Sequence, residues 1–133
     1  MKQFTTALIT TALISIATLA MSANPAAPLS TSTLKKIIAS NDKPTLVFFE
    51  NPNGGPCRAQ KALLNKLVEQ RKGNFNIASV STLNQDDQKG FYDYGIRSLP
   101  TLVLVDKAGK ISKVFSPGIQ NNEVLSSALD SLK

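Results

Sequence analysis

The hydrophobic and polar positions divide the first half of the chain into alternating helix and strand segments. A helix is expected after the candidate N-caps of residues 30–32, because its apolar positions share one side: Leu34, Ile37 and Ile38. The uninterrupted apolar character of residues 45–49 is typical of a strand buried on both faces. A second helix is predicted over residues 57–72, ended by Gly73. Its apolar stripe comprises Leu63, Leu64, Leu67 and Val68.

The second half predicts further strands, a hairpin and a last helix. A strand candidate contains Phe75, Ile77 and Val80, and residues 85–94 form a helix candidate closed by Gly95. Residues 101–105 predict a buried strand, 106–109 a hairpin turn, and 110–115 a strand of alternating polarity. A final helix, capped by Asn121 or Asn122, has these expected core positions: Val124, Leu125, Ala128, Leu129 and Leu132. The order α-β-α-β-α-β-β-α predicts an α/β domain with a central mixed sheet and helices on both faces.

The first 23 residues have the pattern of a secretory signal peptide. Lys2 precedes an apolar, Thr/Ser-rich stretch without charge over residues 4–20, and small residues lead to Asn24 and Pro25. We predict a signal peptide over 1–23, cleaved after Ala20 or Ala23, a linker over 24–29 and a folded domain over 30–133. The alternative is an uncleaved membrane anchor, which the short, hydroxyl-rich run disfavours. Cleavage predicts an exported protein of the bacterial periplasm without stable membrane association.

Composition excludes several classes of function. The 15 Lys and Arg exceed the 9 Asp and Glu, giving a net charge of +6, but the cations are scattered and no nucleic-acid partner is expected. The chain has no histidine, which removes Cys–His and Ser–His–Asp chemistry and most transition-metal sites. No metal and no cofactor are therefore expected. Cys57 is the single cysteine, so any disulfide it forms must be to another molecule.

Two segments carry the candidate chemistry. Gly54-Gly55-Pro56-Cys57-Arg58 lies between a predicted strand and a helix, and Arg97-Ser98-Leu99-Pro100-Thr101 precedes another buried strand. With the element order, these segments resemble the thioredoxin family. Its site is a Trp-Cys-Gly-Pro-Cys-Lys/Arg turn, and its second motif ends in a cis-proline followed by threonine. The resemblance covers residues 32–133 and implies the thioredoxin fold.

The resemblance also implies a groove beside Pro100 that pairs with an extended substrate segment. Its expected lining is formed by Gly54, Gly55, Pro56, Ser98, Leu99, Pro100 and Gly118. The simpler interpretation is that Pro100 only forms a turn and takes no part in catalysis. The two glycines likewise serve the turn itself, with Gly54 near the N-cap and Pro56 near the first helical position.

The departures from the family pattern lie at its most reactive positions. Gly54 stands where the family has its exposed nucleophilic cysteine, and Cys57 matches the second, resolving cysteine. Asn53 takes the place of the tryptophan, and Phe48 that of a buried aspartate that accepts a proton. The internal disulfide of the family therefore has no second sulfur here. Natural loss and deliberate replacement of the first cysteine would look the same in the sequence.

Two functions follow as hypotheses. In the first, Cys57 is the catalytic residue of a monothiol protein, and its partners are disulfide- or thiol-containing proteins or glutathione-like thiols. The helix N-terminus, Arg58 and Lys61 favour a thiolate there. In the second, the groove binds a peptide or partner without catalysis, and Cys57 is a buried structural residue. A dimer linked through two Cys57 residues is a third option.

Overall fold

Four strands form one mixed sheet in the computed structural model, which describes residues 23–40 and 42–132. The strands are β1 (Thr45–Glu50), β2 (Asn76–Ser81), β3 (Thr101–Val105) and β4 (Ile111–Val114). Their order in the sheet is β2-β1-β3-β4. Strand β1 runs parallel to β2 and antiparallel to β3, and β4 is antiparallel to β3. Every residue of β1 and β3 is buried, as expected for central strands covered on both faces.

Helices cover both faces of the sheet, and the predicted α/β architecture and element order are confirmed. They are α1 (Ser32–Ile38), α2 (Gly55–Gln70), α3 (Gln88–Asp93), which follows a 3₁₀ turn (Gln85–Asp87), and α4 (Asn122–Asp130). Because side chains alternate along a strand, Leu46 and Phe48 face one layer of the core, with residues of α2 and α4. Val47 and Phe49 face the other layer, with residues of α1.

The helix ends follow the local sequence closely. Thr31 and Asn121 are the N-caps of α1 and α4, and their side chains accept the backbone N–H of Leu34 and Val124. Helix α2 ends at Gln70, two residues earlier than predicted. The chain then turns through left-handed backbone at Lys72 and Gly73, where the backbone N–H of Gly73 bonds to the carbonyl of Val68.

The N-terminal boundary of the folded part differs from the prediction. Within the predicted linker 24–29, Ala26 forms a β-bridge with Lys110, and Ala27 is 5% exposed in the core. Pro28 accepts a hydrogen bond from the Tyr94 hydroxyl at 2.9 Å. The backbone of this segment pairs with the β3–β4 hairpin. The turn-like composition of the segment did not indicate this pairing. Most of the predicted signal peptide lies outside the described residues.

Two predictions about core positions are also corrected. Val124 is 38% exposed, because the buried stripe of α4 consists of Leu125, Ala128 and Leu129 and Val124 lies beside it. Strand β4 is shorter than predicted and shows no regular alternation of burial, since its pairing register with β3 shifts between Leu104 and Val105. Among the described residues, no helix has the length and apolar character needed to cross a membrane.

Candidate functional site

Cys57 lies in the first turn of α2, beneath the loop that joins this helix to β1. Gly54 is the N-cap and offers no side chain to the helix, and a proline follows in the first turn. The Cys57 Sγ accepts a hydrogen bond from the Asn51 N–H at 3.4 Å. Cys57 is 3% exposed and belongs to the core layer of Leu46 and Phe48. The single thiol is therefore held in place and largely sheltered from solvent.

Gly54, which has no side chain, lies next to the Cys57 sulfur. A Cβ atom placed on Gly54 would lie 3.7 Å from the Cys57 Sγ and 3.2 Å from the Asn51 carbonyl oxygen. Gly54 is half-buried, whereas Gly55 and Pro56 are exposed. The glycine thus leaves open the volume next to the sulfur that any side chain at this position would occupy.

The second predicted segment lies at the same end of the sheet. Phe49 near the end of β1 pairs with Thr101 at the start of β3, which brings the loops next to these residues together. The Leu99–Pro100 peptide bond is cis. Pro100 is buried, Leu99 is half-buried and Ser98 is exposed. Two predicted groove residues therefore present surface at this end of the molecule.

Gly118 joins this arrangement through the backbone. Its N–H donates to the Pro100 carbonyl at 2.9 Å, and its φ of 113° is a conformation that side chains rarely adopt. The neighbouring Ile119 is 49% exposed. On the other side of Pro100, the Thr101 hydroxyl donates to the Ser98 carbonyl at 2.6 Å. The structure thus joins Gly118 to Pro100, two of the residues that the sequence assigned to a groove.

Gln60, which the sequence analysis did not single out, fixes the loop that carries Gly118. It is fully buried in α2, one turn after Cys57. Its Nε2 donates to the Gln120 carbonyl at 3.1 Å, and its Oε1 accepts the Gln120 N–H at 2.6 Å. The signal in the sequence was a glutamine three residues after the cysteine, on the side of the helix that faces the core.

Glu50 is a second residue that the sequence analysis missed. It ends β1 and is 5% exposed. Burial raises the pKa of Glu50, and the positive charge of Lys61 opposes part of that rise. The available signal was an acidic residue directly after an apolar run. Within residues 23–40 and 42–132, no three His, Cys, Asp or Glu side chains gather as metal ligands.

Comparisons with known proteins agree with this geometry. The family model for thioredoxin matches residues 25–131. Thioredoxin 1 of Nostoc sp. is 33% identical over 89 residues, which cover 67% of this chain and 81% of that protein. Thioredoxin of Porphyra purpurea is 29% identical over 84 residues, or 63% of this chain and 77% of its own.

Solved structures show the same fold. A thioredoxin-like protein from Clostridium perfringens superposes with a TM-score of 0.62 at 25% identity, covering 68% of this chain and 71% of the other. Chloroplastic thioredoxin z gives a TM-score of 0.65 at 21% identity, covering 81% and 94%. The thioredoxin fold predicted from the sequence is confirmed.

These similarities support a function of the thiol–disulfide oxidoreductase type, with thiol-containing proteins as the class of substrate. The chain has one cysteine, Cys57, and glycine at position 54. Because the thioredoxin family model matches residues 25–131 and Thioredoxin 1 of Nostoc sp. is 33% identical, the chain belongs to the thioredoxin family.

Proposed function

We propose that the protein binds an extended segment of a disulfide- or thiol-containing client and exchanges thiols through Cys57 alone. The open volume at Gly54 carries this proposal. A Cβ there would lie 3.7 Å from the Cys57 Sγ, so an atom of another molecule that fills the same volume is in van der Waals contact with the sulfur. A client sulfur entering beside Gly54 takes the place that a first cysteine would have had.

The chemistry is a pair of exchange steps. In the first, the Cys57 sulfur attacks a client disulfide and forms a mixed disulfide with one client sulfur, and the other client sulfur leaves as a thiolate. In the second, a glutathione-like thiol attacks the client sulfur of the mixed disulfide and releases Cys57. No internal disulfide forms, because Cys57 is the only cysteine. The protein therefore acts at most as a monothiol.

The groove supplies the client-binding part of this function. Leu99 and Ile119 keep part of their apolar surface exposed next to Pro100 and Gly118 in the chain, and the hydrogen bond from Gly118 to Pro100 holds the two loops together. An extended peptide that lies along Ser98 and Leu99 brings its own sulfur toward Gly54. Strand addition of this kind takes its affinity from main-chain hydrogen bonds and its specificity from the side-chain surface.

A second candidate function is binding without exchange. The 3% exposure of Cys57 favours it, because a thiol must be reached before it can attack a disulfide. In that case the groove holds a peptide and Cys57 packs as a small apolar residue. In both cases we propose export to the bacterial periplasm, on the strength of the signal-peptide pattern in residues 1–23.

The experiment that tests the proposal adds the missing sulfur. The Gly54→Cys variant should form an internal disulfide with Cys57 and catalyse the reduction of insulin disulfides by dithiothreitol much faster than the original chain, which exchanges through a single thiol. The expected Cβ position near the Cys57 Sγ is compatible with disulfide geometry. Contact with the Asn51 carbonyl at 3.2 Å requires a shift of a few tenths of an ångström.

Gly55→Cys is the matched control. It adds the same side chain one residue away, where a Cβ meets no atom within 4 Å. This variant should be no faster than the original chain in the insulin assay. If Gly54→Cys is folded and is also no faster, the assignment of this loop as a thioredoxin-type site is wrong.

A further inference from the structure

Strand β2 forms one edge of the sheet, next to β1. At its start, Asn76 donates its backbone N–H to the Pro44 carbonyl at 2.8 Å. In a parallel ladder the N–H and C=O of one residue point to the same side, and successive residues alternate in direction. Asn76 and every second residue after it therefore face β1. The backbone groups of Ile77, Ser79 and Ser81 face away from the sheet.

Part of this outer edge has no partner. The Asp87 carboxylate accepts the Ser81 N–H at 2.9 Å and so closes the end of the strand. The N–H and C=O groups of Ile77 and Ser79 have no hydrogen-bond partner among the described residues. Ser79 is exposed and Ile77 is half-buried, so this stretch of the edge lies at the surface.

Strand β2 also lacks the features that keep sheet edges apart. Edge strands of natural proteins commonly carry charged residues, proline or a bulge. All residues of β2 are uncharged, none is proline, and the strand pairs with β1 without a register shift. At the opposite edge, the backbone of Pro25 and Ala27 pairs with the β3–β4 hairpin, and β4 itself carries Lys113 and a register shift. The edge open to a further strand is therefore β2.

We propose that β2 pairs antiparallel with β2 of a second copy of this chain, across a twofold axis at Ala78. In this register Ile77 of each copy lies opposite Ser79 of the other, and each such pair exchanges both of its N–H···O bonds. Every outward N–H and C=O of Ile77 and Ser79 is then paired. A register shifted by two residues would instead place the Ile77 carbonyl opposite the Ser81 N–H, which Asp87 already holds.

The side chains along β2 allow this approach. Ile77 and Ser79 share one face of the strand, where each meets a neutral side chain of the second copy. Ala78, at the axis, points to the other face and has only a methyl group. No like charges lie opposite each other in the paired strands, a contact that would destabilise them.

Charges beyond the two ends of β2 favour the antiparallel direction. Lys72 precedes the strand and Asp86 follows it, and both are exposed. Neither forms a salt bridge within the described part of the chain. Because the beginning of one antiparallel strand meets the end of the other, Lys72 of each copy lies at the same end of the interface as the partner's Asp86. Parallel pairing would bring like charges together, so these residues contribute mainly to orientation.

The first test is sedimentation equilibrium of the purified protein, kept reduced so that no disulfide between two Cys57 residues can form. Small interfaces are weak, so we expect a dissociation constant on the order of 10 to 100 µM. The weight-average mass should rise toward that of two chains as the concentration increases to about 500 µM.

Amide hydrogen exchange, followed by NMR, tests the register in the unaltered protein. The amides of Ile77 and Ser79 should become protected over the same range of concentration, because only the dimer gives them acceptors. The amides of β4 should not change. This measurement does not depend on whether a variant folds.

Substitutions test which edge is used. Ser79→Lys places a charge on the proposed interface and should raise the dissociation constant at least about tenfold. Val114→Lys is the matched control, because Val114 is exposed on the opposite edge strand, and this variant should dimerise as the original chain does.

A pair of charge reversals tests the antiparallel direction. Lys72→Glu should weaken the dimer, and addition of Asp86→Lys to the same chain should restore it. Failure of the double variant to recover the affinity overturns the antiparallel contact.

The other outcomes are equally decisive, and none of them depends on the chemistry of Cys57. A reduced protein that remains monomeric at about 500 µM overturns the proposal. A dimer that leaves the Ile77 and Ser79 amides unprotected, or that Ser79→Lys and Val114→Lys weaken equally, also overturns it. Protection of these amides at every concentration would show that a segment of the same chain covers the edge, which contradicts pairing with a second copy.

Discussion

Replacement of Gln60 by leucine should destabilise the protein through the loop that borders the groove. Leucine has a similar volume, so the main loss is the pair of hydrogen bonds with the Gln120 backbone, at 3.1 Å and 2.6 Å. A neutral hydrogen bond contributes about 1 kcal/mol, and a backbone group left without a partner adds about 1 kcal/mol or more. Because Gln120 is half-buried, water replaces part of the loss. We expect the free energy of unfolding to fall by about 2 to 3 kcal/mol.

Urea denaturation of Gln60→Leu measures this change, with Gln70→Leu as the matched control. Gln70 lies exposed at the end of the same helix, so its replacement should change the free energy of unfolding by less than about 0.5 kcal/mol. For a domain of this size, the Gln60 variant should also lose roughly 10 °C in Tm. Amide hydrogen exchange should become faster at Gly118 and Gln120. Equal stability of the two variants would refute the role given to Gln60.

Two predictions concern groups whose pKa is raised in the folded protein. Tyr94→Phe removes the hydrogen bond to Pro28 and should lower the free energy of unfolding by about 1 kcal/mol at neutral pH. Burial, with a smaller effect of Asp93, raises the pKa of Tyr94 to about 12. The unfolded tyrosine ionises near pH 10, so the advantage of the original chain is complete below about pH 10 and is lost as the pH rises toward 12. Urea denaturation at neutral and alkaline pH measures the gap, and a gap independent of pH would contradict this reasoning. Glu50→Gln should raise Tm at about pH 8 and change it little at about pH 4, because a raised carboxyl pKa disfavours the folded state once that group is ionised. An equal shift of Tm at both pH values would show that its charge is not the cause.

The elements that follow local rules could be predicted from the sequence. The central strands were visible as apolar runs, because strands covered on both faces need no alternation. Thr31 caps α1 by accepting the backbone N–H of a residue three positions later. A short stretch of sequence is therefore enough to predict this cap. The positions of Cys57 and Gly54 at the start of α2 followed from the strand–turn–helix context in the same way.

Features that depend on distant contacts could not be predicted in this way. The pairing of Ala26 with Lys110 joins residues that are far apart in the chain, and nothing in the linker-like composition indicates it. Gln60 looks like an ordinary helix residue until the loop at Gln120 folds against it. The burial of Glu50 likewise depends on what packs around the end of β1, which residue types alone do not determine.

The reactivity of Cys57 in the native state distinguishes exchange from binding alone. Alkylation of the reduced, folded protein is followed by mass spectrometry at several low urea concentrations. If client sulfur reaches Cys57 through the open volume at Gly54, the thiol is modified without unfolding, and the rate is independent of urea. If the rate is near zero without urea and rises in step with global unfolding, Cys57 is a buried structural residue and the monothiol function is wrong.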